Sequence, residues 1–193
     1  MTITGDPGPP AGSVDPTRWL ARLASVAATD LAVALDEIAE RVHEVFPVDV
    51  VSVTAVDDLE REGMTHGYCV GPSPAAQAIA PLLTPDRIDP VGMGEAAIEA
   101  GRPVVWPHLV SEPAELARLA RLADAGGPAG ALHRLMLDPS GVAVPLSPPH
   151  APALGAVALV SLSREEPLPA RAVEQLEALA PQLGLTVRNH QLA

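Results

Sequence analysis

VAVPLSPPHAPALGAVALVSL, running from Val142 to Leu162, is the most informative stretch of the chain. Val142–Leu146 and Leu154–Leu162 are short, apolar and rich in Val and Leu. Runs of this length, bounded by Gly and Pro, fit buried strands better than helices, which need more residues. The Pro-rich segment between them reads as a connection, so the stretch predicts a pair of core strands.

Upstream, Val48–Val56 alternates: Val51, Val53 and Ala55 point one way, and Val50, Ser52, Thr54 and Val56 the other. The second, mixed face is expected to border a pocket or a loop. A charged turn, Asp57–Gly63, leads into Met64–Val70, which predicts a hairpin. Before it, Leu31, Leu35, Ile38 and Val42 recur at helical spacing within Asp30–Phe46, with Thr29 as the expected cap. An earlier helix is expected from Pro16 to about Ala28, and the Gly/Pro-rich stretch 1–15 is expected to be disordered. Short helices are expected at 75–83, 94–100, 112–125 and 131–137, with Gly101 ending the second of these and a strand over Arg102–Trp106. A closing helix starts at Pro169, and its Val173, Leu176, Ala180, Leu183 and Val187 are spaced 3, 4, 3, 4. This order predicts an α+β domain over 16–193. A central antiparallel sheet would carry the terminal helices on one face and the middle helices and loops on the other.

Composition narrows the function. Twelve basic residues against 24 acidic ones leave a net charge of −12, which repels nucleic-acid phosphates and anionic membrane surfaces. One cysteine, Cys69, excludes an internal disulfide and any multi-cysteine metal site. No apolar run is long enough to span a bilayer and the N-terminus lacks a secretory signal, so a cytoplasmic location is expected.

In order along the chain, LAVALDEIAERVHEVFPVDVVSVTAVDD (31–58), AAIEAGRPVVWPHL (96–109), SGVAVPLSPPHAPALGAVALVSL (140–162) and VEQLEALAPQLGLTVRNHQL (173–192) together resemble a GAF domain. The resemblance implies a five- or six-stranded antiparallel sheet and a small-molecule pocket between that sheet and the middle helices. It also implies a role in bacterial signal transduction, as a ligand sensor or a dimerising module. Only Ala193 follows the closing segment, so the expected route of action is a separate signalling partner, or else the chain is a remnant of a longer sensor. His108 stands where members of the family often carry Asp.

The candidate pocket residues are Met64, Tyr68, Met93, Trp106, His108, Leu132, His133 and Met136, an apolar and adaptable set that reads equally as plain core. The expected dimer interface is Trp19, Leu20 and Leu23 with Leu176, Leu183 and Val187, which could alternatively bury against the sheet. No cofactor is expected; haem held by His133 is the alternative, and would make the chain a redox or gas sensor. His66 and Cys69, three apart on a strand, point to opposite faces and so do not form a metal pair. Covalent pigment attachment at Cys69 lacks the surroundings expected of it. Reduction of free methionine sulfoxide, known for one stand-alone group in the family, needs a resolving thiol that the chain does not have. No catalytic constellation is present, so the expectation is a binding protein and not an enzyme. Three readings remain: a small-molecule sensor, a ligand-free interaction module, and the haem sensor.

Overall fold

A computed structural model describes residues 30–56, 63–83, 92–106, 140–147, 152–162, 168 and 171–192. Helix α1 spans Leu31–Val45, followed by strands β1 (Val50–Val56) and β2 (Met64–Val70). Helix α2 (Pro74–Ile79) runs into a 3₁₀ turn at Ala80–Leu82, and α3 (Met93–Ala100) precedes β3 (Val104–Trp106). Strands β4 (Ser140–Pro145) and β5 (Gly155–Ser161) follow, and α4 (Ala172–Gln191) closes the chain. The helices expected at 16–28, 112–125 and 131–137, and the tail at 1–15, lie outside the described residues.

The five strands form one sheet in the order β2-β1-β5-β4-β3, with every neighbouring pair antiparallel. The predicted strand pair is therefore β4 and β5, with β5 at the centre. It pairs with β1 on one side, Leu159 opposite Val51, and with β4 on the other, Leu159 opposite Val142. The fold is α+β, as the element order implies.

Strand alternation separates two cores. Val51, Val53, Val142, Val144, Val157 and Leu159 face α1 and α4. Val50, Ala143, Ala156, Ala158 and Val160 face α2 and α3. Terminal helices thus cover one face and a middle helix the other.

The apolar stripe of α1 is Leu35, Ile38 and Val42, all fully buried. Its cap differs from expectation. Asp30, not Thr29, is the N-cap, accepting from the backbone N–H of Ala32 at 2.9 Å and of Val33 at 3.3 Å. Gly101 ends α3 in the left-handed region, φ +60, where glycine alone carries no steric cost, as its sequence position predicts. The closing helix begins at Ala172, three residues later than expected, and continues through Pro181.

The stripe on α4 corrects one expectation. Leu176, Leu183 and Val187 are fully buried within the chain's own core, against the sheet and α1, and present no surface to a second copy. Gly184 of this helix packs on Leu146, whose backbone carbonyl lies 3.4 Å from where a Cβ would stand, an ordinary van der Waals distance. The spacing 3, 4, 3, 4 suits a sheet-covering face as well as a coiled-coil seam, and the core claims it. Trp19, Leu20 and Leu23 lie outside the described residues.

Candidate functional site

The face toward α3 has two unlike halves. Over β4 and β5 the side chains are small: Gly141, Ala143, Ala156 and Ala158. This lets α3 sit close, and its Met93 lies so tightly on Gly141 that a Cβ there would collide with the Met93 sulfur. Ala97 and Ile98 of the same helix complete the packing.

Over β1 and β2 the same face turns polar. Ser52 and Thr54 of β1 stand two residues apart and so share it. Register places Ser52 between Tyr68 and Ala158, and Thr54 between His66 and Ala156. Ser52, Thr54 and His66 are 5, 1 and 2 % exposed. Thr54 Oγ1 lies 3.1 Å from His66 Nδ1, within hydrogen-bond distance. The rings of His66 and Tyr68 lie near-parallel, 6.1 Å between centroids and 19° between planes. Ser52 Oγ is buried without a hydrogen-bond partner.

The position of β2 is fixed from the other side. Gly67 faces α1, and a Cβ there would collide with the backbone of Leu35 and Asp36. That contact lets Asp36 Oδ1 accept the Tyr68 backbone N–H at 2.8 Å. At the start of β1, Asp49 accepts the Leu162 N–H at 2.6 Å and the Ser73 hydroxyl, while Ser73 caps α2 through Ala76 N–H at 3.1 Å. Ser52 and Thr54 therefore stand on a strand held at its first residues to β5 and α2.

The four described members of the expected pocket all reach this face but do not converge. Met64 and Tyr68 stand on β2 at one edge, and Trp106 on β3 at the other. Four strand spacings separate those edges, roughly 19 Å. Met93 is core beneath α3. His108, Leu132, His133 and Met136 lie outside the described residues. Sequence reasoning missed Ser52, Thr54 and His66 as a group. Alternation places Ser52 and Thr54 together, but the spacing of His66 does not tie it to them.

Those two do point apart: His66 faces the polar strip, and Cys69 packs against the helix-side core. Burial pushes the Cys69 thiol above its ordinary pKa, and the carboxylates of Glu40 and Asp36 add to the rise. The thiolate, the reactive form, is correspondingly scarce near neutral pH. Among the described residues no group of three or more His, Cys, Asp or Glu could hold a metal ion, and no helix is long and apolar enough to cross a membrane.

The profile of the GAF domain family matches residues 30–187. The chain belongs to the GAF domain family. These are sensory and regulatory domains of signalling proteins. Solved structures share the fold. The GAF domain of an Acinetobacter phosphoenolpyruvate-protein phosphotransferase superposes with a TM-score of 0.58 at 13% identity, covering 91% of this chain and 92% of that one. The free methionine-R-sulfoxide reductase of Neisseria meningitidis, solved with its substrate, gives 0.55 at 19% identity, covering 91% and 87%. The GAF domain of the cyanobacteriochrome TePixJ gives 0.52 at 16% identity, covering 87% and 95%. A comparison with curated protein sequences gave no match.

Proposed function

We propose that this GAF domain is a small-molecule-sensing regulatory module of bacterial signal transduction, cytoplasmic, dimeric and acting through a separate partner protein. The observation that carries the sensing role is the buried polar strip of Ser52, Thr54 and His66 on the sheet face that α3 packs against. Polar side chains are seldom buried on a sheet unless something satisfies them. Thr54 and His66 lie within hydrogen-bond distance of each other, and the family's use as sensory domains supports reading the missing partner of Ser52 Oγ as a ligand. Catalysis by Cys69 is not part of the reading, because its thiol is on the opposite face and held protonated by burial and two carboxylates.

Dimerisation is assigned to the outer sides of α1 and α4, where Val33, Leu185 and Leu192 are 49, 44 and 76 % exposed. Native mass spectrometry of freshly purified protein tests both parts. A dimer carrying a discrete extra mass is the expected result. A bare dimer moves the reading to a ligand-free interaction module, and a bare monomer at micromolar concentration removes both parts. A visible absorbance band from the same tube would instead identify a haem-bound sensor.

A further inference from the structure

Ser52 narrows the chemistry of the ligand. Its side chain is 5 % exposed, its Oγ has no hydrogen-bond partner, and its register aims it from the middle of β1 at the face toward α3. The adjacent hydroxyl differs: Thr54 is within hydrogen-bond distance of His66 Nδ1. An unsatisfied buried hydroxyl lowers stability unless a bound molecule supplies its partner.

We infer that the ligand is a neutral, planar molecule whose polar edge hydrogen-bonds Ser52 Oγ; this rests on the sensory reading above. Neutrality follows from the neighbours. Among the described residues, Val50, Thr54, Val56, Met64, Ala156 and Ala158 are the in-sheet neighbours of Ser52 and His66 on this face, and none carries a formal charge. A phosphate or carboxylate placed there would be stripped of water with no ion partner among these six, and the imidazole of His66 beside them already lies within hydrogen-bond distance of Thr54 through Nδ1. Planarity follows from the rings: His66 and Tyr68 stand near-parallel on β2, and Tyr68 is the cross-strand partner of Ser52. A flat molecule lying along Tyr68 extends that stack while its edge reaches the hydroxyl. Ala97 and Ile98 of α3, packed on β5, bound the other flank with apolar surface.

Naphthalene, 2-naphthol and 2-naphthoate share one ring system and differ only in the substituent, so they separate the terms. The full chain is titrated with each by calorimetry, as wild type, Ser52→Ala and Ser52→Thr. The expected result is that 2-naphthol binds wild type about three- to tenfold more tightly than either of the others, the range one net hydrogen bond supplies. Ser52→Ala removes that advantage and leaves naphthalene unchanged, whereas Ser52→Thr, which keeps a hydroxyl, retains it. Tightest binding by 2-naphthoate overturns neutrality. An unchanged 2-naphthol affinity in Ser52→Ala overturns the role of Ser52. Both results leave the sensory reading standing. If none of the three binds, the inference falls, and native mass spectrometry of the same sample decides the rest: an endogenous bound mass keeps the sensory reading, and a bare chain sinks it as well.

Discussion

A buried hydroxyl with nothing to bond is a stability cost carried at one residue. Replacing Ser52 by Ala in ligand-free protein should therefore raise stability, by about 1 kcal/mol, because the lost group had no partner to abandon. Urea denaturation with an unchanged slope reads this directly. A loss of stability of similar size would mean that the hydroxyl is structural. Cys69 gives a second prediction at this scale. Its thiol pKa is raised in the folded chain, first by burial and then by Glu40 and Asp36. The folded state therefore holds its proton where the unfolded chain has released it. The contribution to stability is complete below the ordinary thiol value and is lost as pH rises through the raised one. Denaturation midpoints should fall on alkaline titration from pH 8 upward by more in wild type than in Cys69→Ala; parallel profiles would refute the shift. The polar residues of the strip are only partly legible in the sequence. Strand alternation alone puts Ser52 and Thr54 on one face. That His66 meets Thr54 depends on the register of the hairpin, and a charged turn of about seven residues does not set that register by its composition.

Among elements, β2 is the one most in need of protection, since it is the longer of the two strands at the edges of the sheet. Edge strands expose backbone donors that invite pairing with other chains. Here α1 supplies the block. Gly67 admits its backbone at close range, and Asp36 accepts the Tyr68 N–H at 2.8 Å. Asp36→Ala should cost about 1.5–3 kcal/mol, the worth of a hydrogen bond to a charged group, and should raise aggregation on mild heating. Asp36→Asn keeps an acceptor and should recover most of the loss. Equal losses in the two variants, measured by denaturation and light scattering, would show that the carboxylate's charge and not its hydrogen bond holds the edge. Elements of this kind were readable in advance where their periodicity was long and unbroken: α1, β1, β4 and β5 all fall within two residues of the positions their patterns predict. What the pattern could not tell was which surface an apolar stripe serves. Leu176, Leu183 and Val187 have the spacing of an interface and the burial of a core, and their contacts with the sheet and α1 distinguish the two.

At the scale of the whole molecule, the two sides of the sheet are joined through β1. Its first residues are held to β5 and α2 by Asp49, and its last by α4, where Gln191 Nε2 donates to the Val56 carbonyl at 2.7 Å. Ser52 and Thr54 lie between these two attachments, on the face away from α4. On the proposed sensory reading, a ligand that shifted β1 would act on the C-terminal end of α4 through Gln191. The link is one hydrogen bond, so its removal should be cheap for stability, about 1 kcal/mol, yet specific in place. In Gln191→Ala, hydrogen exchange should quicken over the last turns of α4, residues 186–192, while β5 and the buried stripe at Leu176 and Leu183 keep their protection. When 2-naphthol is added, wild type should gain protection over 186–192 and the variant should not. Equal protection in both would mean that the end of α4 is fixed by packing alone, and that a signal from the polar strip leaves by another part of the fold.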